Sequence, residues 1–256
     1  MHSPDLQNSG DIGGYSISPT QCIREGILYC SASTDPIDRS HVDELQIDEL
    51  QMSHDIRIIF DLRSAGERVQ QSSPPTRIPI LGLPVVANHD GTTLKKYFDG
   101  VLKNAPLACA KLYQHICAHS NTAFYGIFKY IRDNPGNPLL VHCELRNDWA
   151  GVFIAVLLFG LGASEFDIIS DYALSQKEIE GLVVARKAKL LRSNFMKGVS
   201  PPPVALDSHF MAHPESMILF PSYLKDTYGN GQGYFKSIGS RVEDCNKIRL
   251  NMTQEV

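Results

Sequence analysis

The chain has 256 residues, 43% of them hydrophobic, enough to bury a sizeable core in one domain. Its 24 lysines and arginines against 28 aspartates and glutamates leave a net charge of −4, which offers no electrostatic basis for gripping nucleic acid or an anionic membrane. Six cysteines (Cys22, Cys30, Cys109, Cys117, Cys143, Cys245) follow no metal-ligand spacing and form no Cys-x-x-Cys pair, so they read as free thiols of a reducing compartment, the cytosol.

The first eight residues carry neither the basic start nor the apolar run of a signal peptide. Paired glycines at 13 and 14 predict a tight turn. The segment 27–31 is a strand candidate, and 43–52 is charged, with Leu45, Ile47 and Leu50 at loosely helical spacing. The β-branched run 56–62 predicts a buried strand, and the proline-rich stretch 72–84 a connector or edge strand. Over 118–133, Phe124, Ile127, Phe128 and Ile131 share one helical face, with Asn121 or Thr122 as N-cap. A short apolar strand at 138–141 leads through a cysteine into an apolar helix at 149–161, whose apolar stretch is too short to span a bilayer.

Helix signals fill the rest. Ser164-Glu165-Phe166-Asp167 resembles a capping box, and 176–192 is rich in strong helix formers. The segment 196–207, with Pro201-Pro202-Pro203, reads as a flexible loop or lid. A helix at 216–228 should end at Gly229, and Ser240 to Glu243 is a second capping-box match, opening a last helix to about Asn251. Strands alternating with helices, followed by a helical region over about 164–256, imply an α/β sandwich around a central sheet.

The chemistry concentrates in His142-Cys143-Glu144-Leu145-Arg146-Asn147-Asp148-Trp149-Ala150-Gly151. A strand, a cysteine, a tight loop and a helix make an anion nest, in which converging backbone N–H groups and the helix dipole supply positive potential. The same field is expected to stabilise a Cys143 thiolate and lower its pKa.

The chain resembles the tyrosine- and serine-phosphatase-like proteins of fungi and bacteria, a branch of the cysteine-phosphatase superfamily. That family's patterns run Asn-Phe-Arg-Asp-Leu-Gly-Gly-Tyr, Leu-Tyr-Arg-Ser, Asp-Leu-Arg-Ser with a following Glu, His-Cys-x-x-Gly-Lys-Asp-Arg-Thr-Gly, Asp-Tyr-x-x-Ser and Tyr-Gly-x-x-x-x-Tyr. Here they match Asn8 to Tyr15, Leu28 to Ser31, Asp61 to Ser64 with Glu67, His142 to Gly151, Asp171 to Ser175, and Tyr228-Gly229 to Tyr234. The resemblance implies an α/β cysteine-phosphatase fold, with the nucleophile at the position of Cys143 and the general acid at that of Asp148.

The departures fall on the cations. Gly10 and Cys30 replace the arginines of the first two patterns, Arg146 and Asn147 replace Gly-Lys, and Trp149 replaces the arginine that forks onto phosphate. A charge-assisted hydrogen bond is worth about 1.5–3 kcal/mol, so losing a bidentate clamp should cost roughly three orders of magnitude in phosphoryl transfer. The first expectation is therefore a repurposed enzyme: a lyase or isomerase, dehydratase or cyclase, acting on a small non-phosphorylated metabolite. The biosynthetic settings of relatives imply a tailoring role in secondary metabolism. Asp148 and Glu144 are the acid/base candidates, Cys143 a nucleophile or polar contact, and His142 a loop-orienting residue before a catalytic one. Trp149, Arg146, Asn147, Arg63, His89 and Asp90 are candidates to contact substrate. Arg146 is the potential substitute cation, while Arg63 is open to a structural pairing with Asp61 or Glu67. The alternatives are a pseudophosphatase that binds without turnover, or a weak protein-tyrosine/serine phosphatase. No cofactor is expected, and His115, His119, His209 and His213 lack partners for a metal site.

Overall fold

A computed structural model describes residues 9–33, 53–68, 78–85, 91–193 and 196–256. Its strands are β1 (Gly10–Asp11), β2 (Ser16–Ser18), β3 (Gln21–Ile23), β4 (Leu28–Ser31), β5 (Ile58–Asp61), β6 (Ile80–Gly82), β7 (Leu139–His142) and β8 (Thr253–Glu255). The main sheet runs β1-β4-β7-β5-β6, and a small antiparallel sheet runs β2-β3-β8. Strands β4, β7, β5 and β6 are parallel, and β1 adds an antiparallel edge. β7 occupies the centre and all four of its residues are buried, as an apolar run covered on both faces should be. Strand β6 is the edge expected of the proline-rich stretch. The segment at 43–52 lies outside the described residues.

The helices are α1 (Ala65–Arg68), α2 (Gly91–His119), α3 (Asn121–Asp133), α4 (Trp149–Leu161), α5 (Glu165–Arg192), α6 (Pro203–His209), α7 (Pro214–Tyr228), α8 (Gly231–Ser237) and α9 (Val242–Met252). This is the mixed α/β architecture implied by the resemblance. α4 follows β7 directly and buries nearly its whole circumference, from Val152 to Leu161. Phe153 stacks on Phe128 at 5.4 Å and meets Phe124 edge-on at 5.3 Å, while Phe128 meets Phe235 at 4.7 Å. Each ring buried in this cluster stabilises the fold by about 1.5–3 kcal/mol. It is this packing that fixes the start of α4, and hence the loop before it.

Local signals held with small displacements. α3 buries the expected face, but its N-cap is Ser120, whose hydroxyl turns back to the Ile116 carbonyl instead of capping. Ser164 caps α5 by accepting from the Asp167 N–H at 3.1 Å. α9 starts one residue later than the sequence pattern places it: Arg241 is its N-cap, and Asp244, not Glu243, accepts the Arg241 N–H at 2.9 Å. α7 ends at Gly229 in a positive-φ conformation.

Two differences are larger. The expected flexible segment at 196–207 is instead a turn followed by α6, with Met196, Ala205, Leu206 and Phe210 buried around Leu145 of the loop. Its prolines start the helix, since a missing N–H costs nothing in the first turn. The long α2 has no counterpart in the sequence reading. It is two helices joined at Asn104, whose backbone is extended and whose side chain accepts the Leu107 N–H at 3.0 Å, capping the second half. That cap, with Pro106 beside it, breaks the apolar periodicity that would otherwise reveal the helix.

Candidate functional site

The carboxyl ends of β4, β5 and β7 meet at the loop 143–148, the crevice position where open parallel sheets take ligands. Backbone bonds tie the loop to both neighbours: the Ser33 N–H donates to the Glu144 carbonyl at 3.2 Å, and the Leu62 N–H to the His142 carbonyl at 2.9 Å. Gly151 is needed because the Arg146 carbonyl folds back over α4. A Cβ at 151 would lie 2.8 Å from that oxygen.

Cys143 sits at the floor, buried, and its sulfur accepts the Arg146 N–H at 3.2 Å. Burial pushes the thiol up to about 12, although N–H groups of Ala150, Leu145 and Arg146 pull the other way. This direction is opposite to the lowering expected from the sequence. Three neutral donors do not offset desolvation where no cation reaches the sulfur.

Arg146 explains where the cation went. It adopts the left-handed conformation (φ 71°) of the glycine it replaces, and its side chain turns behind the loop to Asp171. There its guanidinium donates to Asp171 at 3.1 Å, contacts Cys30, and packs 3.5 Å from where a Cβ at Gly10 would stand. It thus fills the room left where the family's patterns have arginines at 10 and 30. Tyr15 donates to the same Asp171 at 3.1 Å. As a substitute phosphate clamp Arg146 is corrected: it is buried in a back-side ion pair.

Arg63 resolves the same way. It donates to Asp61 through Nε at 3.0 Å and Nη2 at 2.8 Å, and to Ser33 through Nη1 at 2.9 Å. The pairing is with Asp61, while Glu67 accepts the Ser64 N–H at 2.7 Å. His142 is buried with Nδ1 3.4 Å from the Cys143 carbonyl and Nε2 4.0 Å from Asp61, a position suited to orienting the loop. Asn147 is buried with both side-chain polar atoms lacking hydrogen-bond partners. It does not line the cavity described next. His89 and Asp90 lie outside the described residues.

In front of the loop is a largely apolar cavity of about 600 Å³, walled by Leu94, Phe98, Leu107, Leu112 and Trp149 and floored by Cys143 and Asp148. Asp148 makes no side-chain cap to α4. Burial raises its carboxyl to about 7, with a hydrogen bond from Tyr113 opposing the shift. Tyr113 in turn shares a hydrogen bond with Tyr172 of the Asp171-to-Ser175 motif, so that motif braces both faces of the loop. His209, bonded to the Tyr97 hydroxyl at 2.9 Å, also lines the cavity, and burial lowers it to about 4, keeping it neutral.

Glu144 is held by cations. Arg186 of α5 donates to Oε1 at 2.7 Å, and Lys189 Nζ lies 2.9 Å from the same oxygen. Both carboxylate oxygens of Glu144 are thereby engaged by cations, while Asp148 is the carboxyl on the floor of the apolar cavity. Arg186, Lys189, Tyr97 and Tyr113 were not singled out in the sequence, and His209 was weighed there only as a metal ligand. Arg186 and Lys189 sit in a run read only for helix propensity, and nothing local distinguishes them from a solvated face. Among the described residues no group of three or more His, Cys, Asp or Glu is placed to hold a metal, and no helix is long and apolar enough to cross a membrane.

Across residues 1–254 the sequence matches the family model described as the tyrosine phosphatase family. The chain belongs to the tyrosine phosphatase family. A curated relative, a tyrosine-protein phosphatase of Nostoc commune, is 24% identical over 213 residues, spanning 78% of this chain and 67% of that protein. Within the family's frame, this chain keeps the strand–cysteine–loop–helix unit and the Asp171-to-Ser175 brace, and it moves its loop guanidinium to the back of the fold.

Proposed function

We propose that the cavity is an acid/base site for a small, largely apolar organic molecule, and that the chain is a lyase or isomerase of dehydratase or cyclase type built on a phosphatase fold. The observation that carries this reading is Asp148, a carboxyl raised to about 7 by burial on the floor of an apolar cavity. A group titrating near neutrality can donate a proton and take one back at working pH. In a dehydration, Asp148 in its acid form protonates a departing hydroxyl as the C–O bond breaks. The carboxylate then accepts the proton from the adjacent carbon as the double bond forms, so water leaves and the acid is regenerated. Cys143, kept as a thiol, is a polar contact on the floor, and Trp149 supplies a stacking wall. Turnover of this kind suits a tailoring step in secondary metabolism.

A second reading, a weak phosphatase or a pseudophosphatase, is favoured by one feature: backbone N–H groups still converge on Cys143 Sγ. Assaying an aryl phosphate with wild type and Cys143→Ser separates the first reading from a weak phosphatase, and the dehydration screen below separates it from a pseudophosphatase. The first reading predicts no turnover above background in either protein. Robust hydrolysis abolished by the substitution would refute it. Screening amphipathic β-hydroxy carbonyl compounds for loss of water by mass spectrometry, with Asp148→Asn as control, tests the acid/base reading directly; conversion that survives Asp148→Asn counts against it.

A further inference from the structure

Arg186, Lys189 and Leu190 of α5 and its C-cap Ser193 lie at i, i+3, i+4 and i+7, and all four line the cavity. Arg186 is buried, and only its Nη1 is engaged, by Glu144 at 2.7 Å. Its Nε and Nη2 are buried without an acceptor. These two atoms form one straight edge of the guanidinium, the edge that matches the two oxygens of a carboxylate side-on. Buried donors left unmade are costly, so a native structure that keeps them free points to a ligand that completes them.

Charge bookkeeping agrees. Glu144 is a single negative charge shared between Arg186 and Lys189, while Arg63, 3.7 Å away, is already matched by Asp61. The pair therefore keeps one uncompensated positive charge at the cavity wall. Lys96, Lys103 and Lys111 add three more cations to the lining, against only Glu67, Glu144 and Asp148. Two of those three carboxyls, Glu67 and Asp148, are shifted towards the neutral form by burial. A chain of net charge −4 thus presents a cavity of the opposite sign.

We propose that the ligand is an amphipathic carboxylic acid, its carboxylate lying bidentate on the Nε/Nη2 edge of Arg186 beside Lys189, its apolar body against Leu94, Leu107, Leu112 and Trp149. This names the substrate class for the acid/base site proposed above and rests on that reading. A carboxylate fits this wall better than a phosphate monoester, because the Arg186–Lys189–Glu144 cluster leaves one unit of positive charge unmatched and Arg186 offers two free coplanar donors. The cation also approaches from α5 and not from behind Cys143, so the anion is a handle and not the reacting group.

The test is calorimetric titration of the full chain with decanoate, decan-1-ol, decyl phosphate and inorganic phosphate. Fluorescence of Trp149, the single tryptophan, reports occupancy of the cavity in parallel. Decanoate should bind about tenfold or more tightly than decanol, and more tightly than decyl phosphate. Arg186→Lys, which keeps the charge but not the fork, should lose about tenfold for decanoate and nothing for decanol, with a melting curve verifying the fold. Equal binding of decanoate and decanol in the wild type overturns the proposal, as does preference for decyl or inorganic phosphate, or undiminished decanoate binding in a folded Arg186→Lys. Binding needs no turnover. Absence of dehydratase or isomerase activity would leave a positive titration standing, and a failed titration would leave the role of Asp148 untouched.

Discussion

The two faces of the loop 143–148 have lost arginines in different ways. Behind it, Gly10 and Cys30 stand where the family's patterns carry arginines, and Arg146 returns a guanidinium to the same space to pair with Asp171. In front, Trp149 stands where an arginine would fork onto phosphate, and among the described residues no cation is paired with the Cys143 sulfur, whose thiol burial raises to about 12. A structural charge was replaced in kind because Asp171, buried, would otherwise be left unpaired. At the front, the position is taken by aromatic surface, with Trp149 lining the cavity. Compensation marks the scaffold, and its absence marks the site.

That contrast breaks most sharply at Arg146. Arg146→Gly relieves a left-handed residue worth about 1–2 kcal/mol but takes the cation from Asp171, a loss of about 3–5 kcal/mol, so urea unfolding should reveal a net loss of about 1–4 kcal/mol. Adding Gly10→Arg should recover at least half, whereas Gly10→Arg alone should destabilise by crowding two guanidiniums together. Full additivity of the two changes would mean that the positions do not share one charge site.

On the front face the counterpart is Asp148→Asn. Its folded-state pKa of about 7 lies above the unfolded value of 3.8, so the native state holds a proton that the unfolded chain releases between those limits. Asp148 therefore costs stability increasingly from pH 4 to pH 7 and by a constant amount above that. Relative to wild type, Asp148→Asn should gain progressively over this window, up to about 4 kcal/mol at pH 8, while losing any acid/base activity. A stability difference independent of pH would remove the basis for Asp148 as the titrating group.

Smaller effects sharpen the comparison. Trp149→Arg should raise affinity for phosphate or vanadate by about 1.5–3 kcal/mol, read by calorimetry, since the N–H groups around Cys143 are still in place. The back-side pair argues for leaving Arg146 intact in that variant. Asn147→Leu should stabilise the fold by about 1 kcal/mol in thermal unfolding, because it removes two buried polar atoms that lack partners, from a site outside the cavity.

Much of the frame was legible in the sequence, because β7, the loop and α4 are contiguous and their apolar pattern is set by burial on all sides. Trp149 to Leu161 reads as one helix and is one. What was not legible depends on contacts far apart in the chain. Nothing near residue 146 says that its side chain meets Asp171, twenty-five positions away, and not the substrate. Glu144 reads as a free carboxyl until α5 brings Arg186 and Lys189 against it. α2 was hidden by a cap at Asn104 in mid-element, and with it went Tyr97 of the cavity wall and Tyr113, the partner of Asp148. Fold follows from local pattern here, whereas the identity of each charge in the site follows from its partner.

At neutral pH Cys143 should be a thiol. The direct measurement is the ultraviolet absorbance of thiolate in wild type minus Cys143→Ser, followed from pH 4 upward. With the sulfur held at about 12, the difference should stay flat through pH 9. A thiolate step between pH 4 and pH 7 would contradict it, and would return the chain to the phosphatase chemistry of its family.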